Sequence, residues 1–124
     1  MSLILIVEDN EKNMKLVRDV LRVKGYETLE AGTAEDGIVL ASERKPDLIL
    51  MDIHLPGMNG IEALHVLRGN ADTAPIPVIA VTASVMQSDR NLITDAGFDG
   101  YIAKPINLKE FLDAVKAMLE RQPG

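Results

Sequence analysis

Leu3-Ile4-Leu5-Ile6-Val7, Leu48-Ile49-Leu50-Met51 and Val78-Ile79-Ala80-Val81 are unbroken apolar runs, each followed at once by a polar residue. Short runs without alternation are what strands buried on both faces require, so these three predict the interior strands of a parallel sheet. Tyr26 to Ala31 reads as a more polar strand suited to a sheet edge, and Tyr101-Ile102-Ala103 as a short fifth one. Between the strands the apolar spacing widens to that of helices. Asn10 caps a helix with Met14, Val17, Val20 and Leu21 on one face, and Gly25 marks its end. Thr33 caps a second helix with Ile38 and Ala41 inward, and Pro46 prevents its continuation. Gly37, in the interior of that helix, costs about 1 kcal/mol relative to alanine.

The loop Leu55-Pro56-Gly57-Met58-Asn59-Gly60 precedes a short helix with Ile61, Leu64 and Leu67 inward, and Pro75 and Pro77 punctuate the approach to the fourth strand. A fourth helix, from about Val85 to Ala96, has a wholly polar middle in Gln87-Ser88-Asp89-Arg90-Asn91 and is expected to be loosely held. Gly97 and Gly100 bracket a turn into the fifth strand. Asn107 and Glu110 predict a capping box for the last helix, whose Leu108, Phe111, Val115, Met118 and Leu119 follow helical spacing. Residues 121–124 read as a frayed end. Met14, Met51 and Met118 suit core positions, whereas Met58 and Met86 suit loop or surface. Five strand and helix pairs of this kind predict an α/β fold, a doubly wound parallel sheet with helices on both faces.

Composition narrows the class. The 124 residues suit one domain over 1–124, with no linker, repeat or low-complexity segment and no room for an attached effector domain. The absence of cysteine removes disulfides, thiolate metal sites and cysteine nucleophiles. No apolar run is long enough to cross a bilayer and the N-terminus enters a strand, so a soluble, cytoplasmic protein without membrane insertion is expected. A net charge of −6, from 19 acids against 13 Lys plus Arg, disfavours direct binding to nucleic acid. Proteins or phosphorylated species are the expected partners.

The candidate chemistry sits where the apolar runs stop. Glu8 and Asp9 follow the first strand, Asp52 the third, Thr82 the fourth and Lys104 the fifth. Neighbouring parallel strands would bring all five side chains to the carboxyl edge of the sheet, where open α/β sheets bind ligands. Clustered carboxylates repel one another unless a proton or a cation joins them. Hard oxygen donors of this kind suit Mg²⁺, or Mn²⁺, together with a phosphate oxygen. Asp52 could then attack a phosphoryl donor, with the Lys104 charge and the Thr82 hydroxyl holding phosphoryl oxygens. Ala83 is small enough to leave room beside Thr82.

Taken in order, Val7-Glu8-Asp9-Asn10, Leu50-Met51-Asp52-Ile53-His54-Leu55-Pro56-Gly57-Met58-Asn59-Gly60, Val81-Thr82-Ala83 and Tyr101-Ile102-Ala103-Lys104-Pro105 resemble the blocks of response-regulator receiver domains, the CheY-like family. The segment from Val7 to Leu16 is also similar to that of DivK-type single-domain response regulators and of hybrid-kinase receivers. The resemblance implies a five-stranded sheet of order 2-1-3-4-5 with five helices, in the flavodoxin-like arrangement. It implies Asp52 as the phosphorylated residue and Glu8, Asp9, Asp52 and the backbone carbonyl of His54 as metal ligands, Glu8 acting through water. Thr82, Ala83 and Lys104 would hold the phosphoryl group, Thr82 and Tyr101 would form the switch pair, and Pro105 would follow a cis peptide bond. A histidine kinase or histidine phosphotransfer protein would be the donor. A downstream protein target or kinase would read the face formed by the fourth helix, fifth strand and fifth helix. Slow self-hydrolysis of the phosphoaspartate is part of the same expectation. Phe98 and Gly100 depart from the small or acidic residues usual at their turn.

Rival readings remain at this level. An aspartyl-phosphate phosphatase would carry a second aspartate two residues beyond the first, where this chain has His54. A flavodoxin-type carrier would need a hydroxyl-rich and glycine-rich first loop, where this chain has Glu8, Asp9 and Asn10. A phosphorelay shuttle without conformational output would share the same residues, whereas a degenerate receiver that binds partners without phosphorylation is disfavoured by the retention of all five. His54 and His65 are expected on solvated loop and helix positions.

Overall fold

Successive residues of the first strand serve opposite cores. In the computed structural model, which describes residues 2–83 and 87–120, β1 (Leu3–Val7) sends Ile4 and Ile6 to one face and Leu5 and Val7 to the other. That is the period-2 geometry of a strand. β3 (Leu48–Asp52) and β4 (Val78–Thr82) are buried throughout, as their unbroken apolar runs require. β2 (Glu27–Ala31) is half polar and lies at one edge, and β5 (Gly100–Ala103) lies at the other. All pairings are parallel and the order is β2-β1-β3-β4-β5, the expected arrangement.

The helices α1 (Glu11–Val23), α2 (Ala34–Arg44), α3 (Gly60–Arg68), α4 (Gln87–Ala96) and α5 (Leu108–Glu120) alternate with the strands. Met14, Val17 and Leu21 of α1 join Phe111, Val115 and Met118 of α5 over one face of the sheet. Ala34 and Ala41 of α2 join Ala63, Leu64 and Leu67 of α3 over the other. Burying Phe111 completely is worth roughly 1.5–3 kcal/mol at the usual transfer coefficient. A smaller cluster of Ile53, Ala80 and Ile93 holds α4, with Tyr101 packed against it. Of the α4 side chains described, only Ile93 is buried, and Leu92 is exposed. Val85 and Met86 lie outside the described residues, as does the 121–124 tail.

Several local expectations are corrected. Tyr26 precedes β2 because α1 ends in a Schellman turn that spends its amide: Gly25, at φ +90°, donates to Arg22 O at 3.0 Å and Tyr26 N–H donates to Leu21 O at 3.1 Å. Gly100 belongs to β5 and pairs with Ile79, so the turn is shorter than its glycines suggested. Leu108, placed on the inner face of α5 by spacing, is exposed because it occupies the first turn. Met58 lies in the loop before α3, as expected, and is half-buried against the α2 and α3 side. At α5, Glu110 N–H donates to Asn107 Oδ1 at 3.1 Å. A full reciprocal capping box is formed by Asn59 and Glu62 at α3. Gly37 has a packing reason: a Cβ there would lie 2.7 Å from Val7 Cγ2, so alanine would overpack the junction of α2 and β1. Among the described residues no helix is long and apolar enough to cross a membrane.

Candidate phosphoryl and metal site

The sheet order places β1 and β3 side by side, and their ends bring Glu8 and Asp52 together although they are far apart in sequence. Glu8 is 7% exposed and Asp52 4% exposed, while Asp9, one residue further along the loop, faces solvent. One carboxylate oxygen from each of Glu8, Asp9 and Asp52 lies within 4.8 Å of the other two. Such a set of hard oxygens, two sheltered and one open to water, fits Mg²⁺ or Mn²⁺, which keep water ligands alongside one or two carboxylates.

Lys104 arrives from the end of β5 and bridges the two buried acids. Its Nζ lies 2.8 Å from Glu8 Oε1 and 3.1 Å from Asp52 Oδ2. The cis peptide between Lys104 and Pro105 follows directly. The remaining acceptors are also engaged. His54 N–H donates to Asp52 Oδ1 at 3.0 Å, and Asn10 N–H donates to Glu8 Oε2 at 3.2 Å. The imidazole of His54 is exposed, as is that of His65. Sequence reasoning attached His54 through its carbonyl; its N–H as an anchor for the Asp52 carboxylate was missed, since the bond depends on the backbone turn after β3.

These contacts set the charge states. Burial raises the pKa of Glu8, and its hydrogen bond with Asp52 raises it further, against the opposing pull of Lys104 and the Asn10 amide. Burial also acts to raise Asp52, but hydrogen bonds from Glu8, the His54 amide and Lys104 outweigh it and hold that carboxyl below the ordinary aspartate range. Burial works against the charge on Lys104, yet its two carboxylate partners more than compensate and its pKa is raised. The opposite shifts make Asp52 the more acidic of the two buried carboxyls.

Thr82 is 1% exposed, and Ala83 beside it is open to solvent. Lys104 N–H donates to Thr82 O at 2.8 Å, tying the ends of β4 and β5 together. The register pairs Ala80 with Tyr101, which puts Thr82 on the same face two residues further along. Tyr101 is half-buried against Ile53, Ala80 and Ile93. Tyr101 and Ala80 thus belong to the cluster that holds α4, and Thr82 follows Ala80 on the same face of β4.

Gly60 was legible in the sequence only as a loop glycine. It begins α3, donates its N–H to Ile53 O at 3.1 Å, and stands so close to the end of β3 that a Cβ would lie 2.5 Å from the Asp52 carbonyl oxygen. The glycine lets a helix start directly beside the acid.

Residues 4–116 match the response regulator receiver domain family. The chain is 45% identical over 116 residues to the polar-differentiation response regulator DivK of Brucella anthropi, covering 94% of each. The DivK of Brucella ovis gives the same identity and coverage. The solved receiver domain of a sensor histidine kinase from Pseudomonas aeruginosa, described with a magnesium ion coordinated in its active site cleft, has a TM-score of 0.89 at 31% identity. That match covers 96% of this chain and 98% of the other. A CheY-like receiver domain protein from Methanospirillum hungatei has a TM-score of 0.88 at 31% identity, over 97% of this chain and 94% of its own. The family match over residues 4–116, the 45% identity to DivK and the shared sheet architecture show that the chain belongs to the response regulator receiver domain family.

Proposed function

We propose that this receiver accepts a phosphoryl group on Asp52 from the phosphohistidine of a histidine kinase or phosphotransfer protein and signals by protein contact as a single-domain response regulator. The observation that supports this most is the trio Glu8, Asp9 and Asp52 within 4.8 Å, with Lys104 bonded to two of them. Asp9 and Asp52, Glu8 through water and the His54 carbonyl would hold Mg²⁺ or Mn²⁺. When bound, the cation lowers the repulsion between the carboxylate and the incoming phosphoryl oxygens.

An Asp52 carboxylate oxygen attacks phosphorus, the phosphorus–nitrogen bond breaks, and its electron pair stays on the departing imidazole. Lys104 and the Thr82 hydroxyl bind phosphoryl oxygens, and exposed Ala83 leaves the approach open. Phosphoryl transfer needs positioning and charge stabilisation above all, and these residues supply both. Reorientation of Thr82 toward the phosphoryl group draws on the packed cluster with Tyr101, altering the face of α4, β5 and α5 that a target protein or kinase reads. Slow hydrolysis by water resets the state.

Relatives in which DivK acts in polar differentiation suggest a comparable regulatory role here. In the direct test, wild type incubated with acetyl phosphate and Mg²⁺ becomes labelled on one aspartate, whereas Asp52→Asn and chelated wild type do not. Persistent labelling of Asp52→Asn rejects the assigned site.

A further inference from the structure

A groove of about 490 Å³ opens on the α1 and α5 side of the sheet, lined by Lys24, Tyr26, Lys109, Leu112, Asp113 and Lys116. Lys24 and Tyr26 precede β2, so this end of the groove lies at the amino edge of the sheet, opposite the strand ends that carry Asp52 and Lys104. In a chain of net charge −6, three lysines here face a single aspartate. Among the described residues none of these lysines is engaged in an ion pair. The cationic character is therefore free to act on a ligand.

The apolar wall of the groove is built in advance. Tyr26 N–H donates to Leu21 O and Gly25 N–H to Arg22 O, a Schellman turn that fixes the backbone from which Tyr26 projects. Tyr26 and Leu112 are half-buried against the core, and Val23, close by in sequence, is left 84% exposed. A ligand here has to bring both negative charge and apolar surface.

We infer that this groove docks an acidic segment of a partner protein, one that sets an apolar side chain against Tyr26 and Leu112 with carboxylates on either side. The choice of carboxylates over phosphate follows from the lining. Lysine offers a mobile point charge, whereas the planar fork of arginine is the group suited to bidentate phosphate recognition, and among the described residues no arginine lines the groove. A long nucleic acid is disfavoured because its phosphates would extend past the lysines into the field of an acidic chain. The basic patch meets a complementary acidic one, and such complementarity governs the rate and specificity of encounter more than raw affinity.

The groove is separate from the phosphoryl site, so the two readings fail independently. The test is an amide chemical-shift titration of the intact chain with a short peptide alternating glutamate and leucine. Shifts concentrated at Lys24, Tyr26, Leu112 and Lys116 are expected, weakening as salt rises. The Lys24→Glu/Lys116→Glu double variant, altered only at exposed positions, is expected to bind about fivefold or more weakly while labelling by acetyl phosphate stays at the wild-type level. Asp113→Asn is expected to bind more tightly. The proposal is overturned by absence of shifts in the groove, by equal shifts from a glutamine and leucine peptide, or by inorganic triphosphate binding the same amides more tightly than the peptide.

Discussion

Gly60 and Asp52 stand so close that the backbone of one excludes a side chain on the other. A methyl group at Gly60 would lie 2.5 Å from the Asp52 carbonyl oxygen and 2.9 Å from Ile53 Cα, both backbone atoms that cannot rotate aside. Overpacking of this kind costs roughly 1–3 kcal/mol. Gly60→Ala is therefore expected to lower the midpoint of thermal unfolding and, by displacing the end of β3, to slow labelling of Asp52 by acetyl phosphate. Unchanged stability and labelling would show that α3 can retreat from the strand end without cost.

The fold was readable because parallel strands buried on both faces leave unmistakable apolar runs, and β1, β3 and β4 appear where those runs lie. The meeting of Glu8, Asp52 and Lys104 was readable for the same reason, since each ends or follows such a run. What escaped was backbone geometry and long-range pairing. Gly25 marked the end of α1, but nothing in the sequence says that Tyr26 would give its amide to the closing turn, that Leu108 would miss the core, or that Arg68 would meet Asp99. Side-chain spacing reports which face a residue takes, whereas these outcomes depend on where one element ends against another.

The coupled acids predict a pH dependence of stability. In the folded, metal-free protein Glu8 has a raised pKa, so its folded form favours the proton; the stability this confers is present at low pH and lost as pH rises through the raised value. Asp52 has a lowered pKa, so its contribution is present above the ordinary aspartate range and lost as pH falls through the lowered value. Replacing Glu8 by glutamine removes the first dependence and keeps the second. Between about pH 5 and pH 8, Glu8→Gln is expected to gain stability relative to wild type in chelator, and to lose that advantage when Mg²⁺ is added. Denaturant unfolding at several pH values measures this. A difference independent of pH would mean that Glu8 is ionised throughout.

Tyr101 offers a separation of chemistry from output. Its ring packs with Ile53, Ala80 and Ile93, and it lies on the same face as Thr82. Tyr101→Ala is expected to keep labelling of Asp52 within about twofold of wild type while weakening phosphorylation-dependent binding of a target by tenfold or so, the scale of about 1–3 kcal/mol common to allosteric coupling. Calorimetric binding of phosphorylated and unphosphorylated protein gives both numbers. Equal affinities in the variant and wild type would favour a simple phosphoryl shuttle.

Arg68 supplies the restraint on the other end of α4. Its Nη1 donates to Ala74 O at 3.0 Å and Ile76 O at 2.7 Å, and its Nη2 donates to Gly97 O at 3.3 Å and Asp99 Oδ2 at 2.7 Å. Asp99 Oδ2 also accepts the Val78 N–H at 2.8 Å, so one ion pair joins the end of α3, the start of β4 and the turn after α4. Both side chains are partly exposed, which limits the ion pair itself; the value lies in the carbonyls that the guanidinium satisfies. Arg68→Ala is expected to cost about 1–3 kcal/mol and Arg68→Lys most of that, since an ammonium cannot reproduce the fork. A double-mutant cycle with Asp99→Asn should return a coupling of about 0.5–1.5 kcal/mol, measured by denaturant unfolding. Strict additivity would mean that each partner stabilises its own backbone contacts alone, and that the turn after α4 is set without the pair.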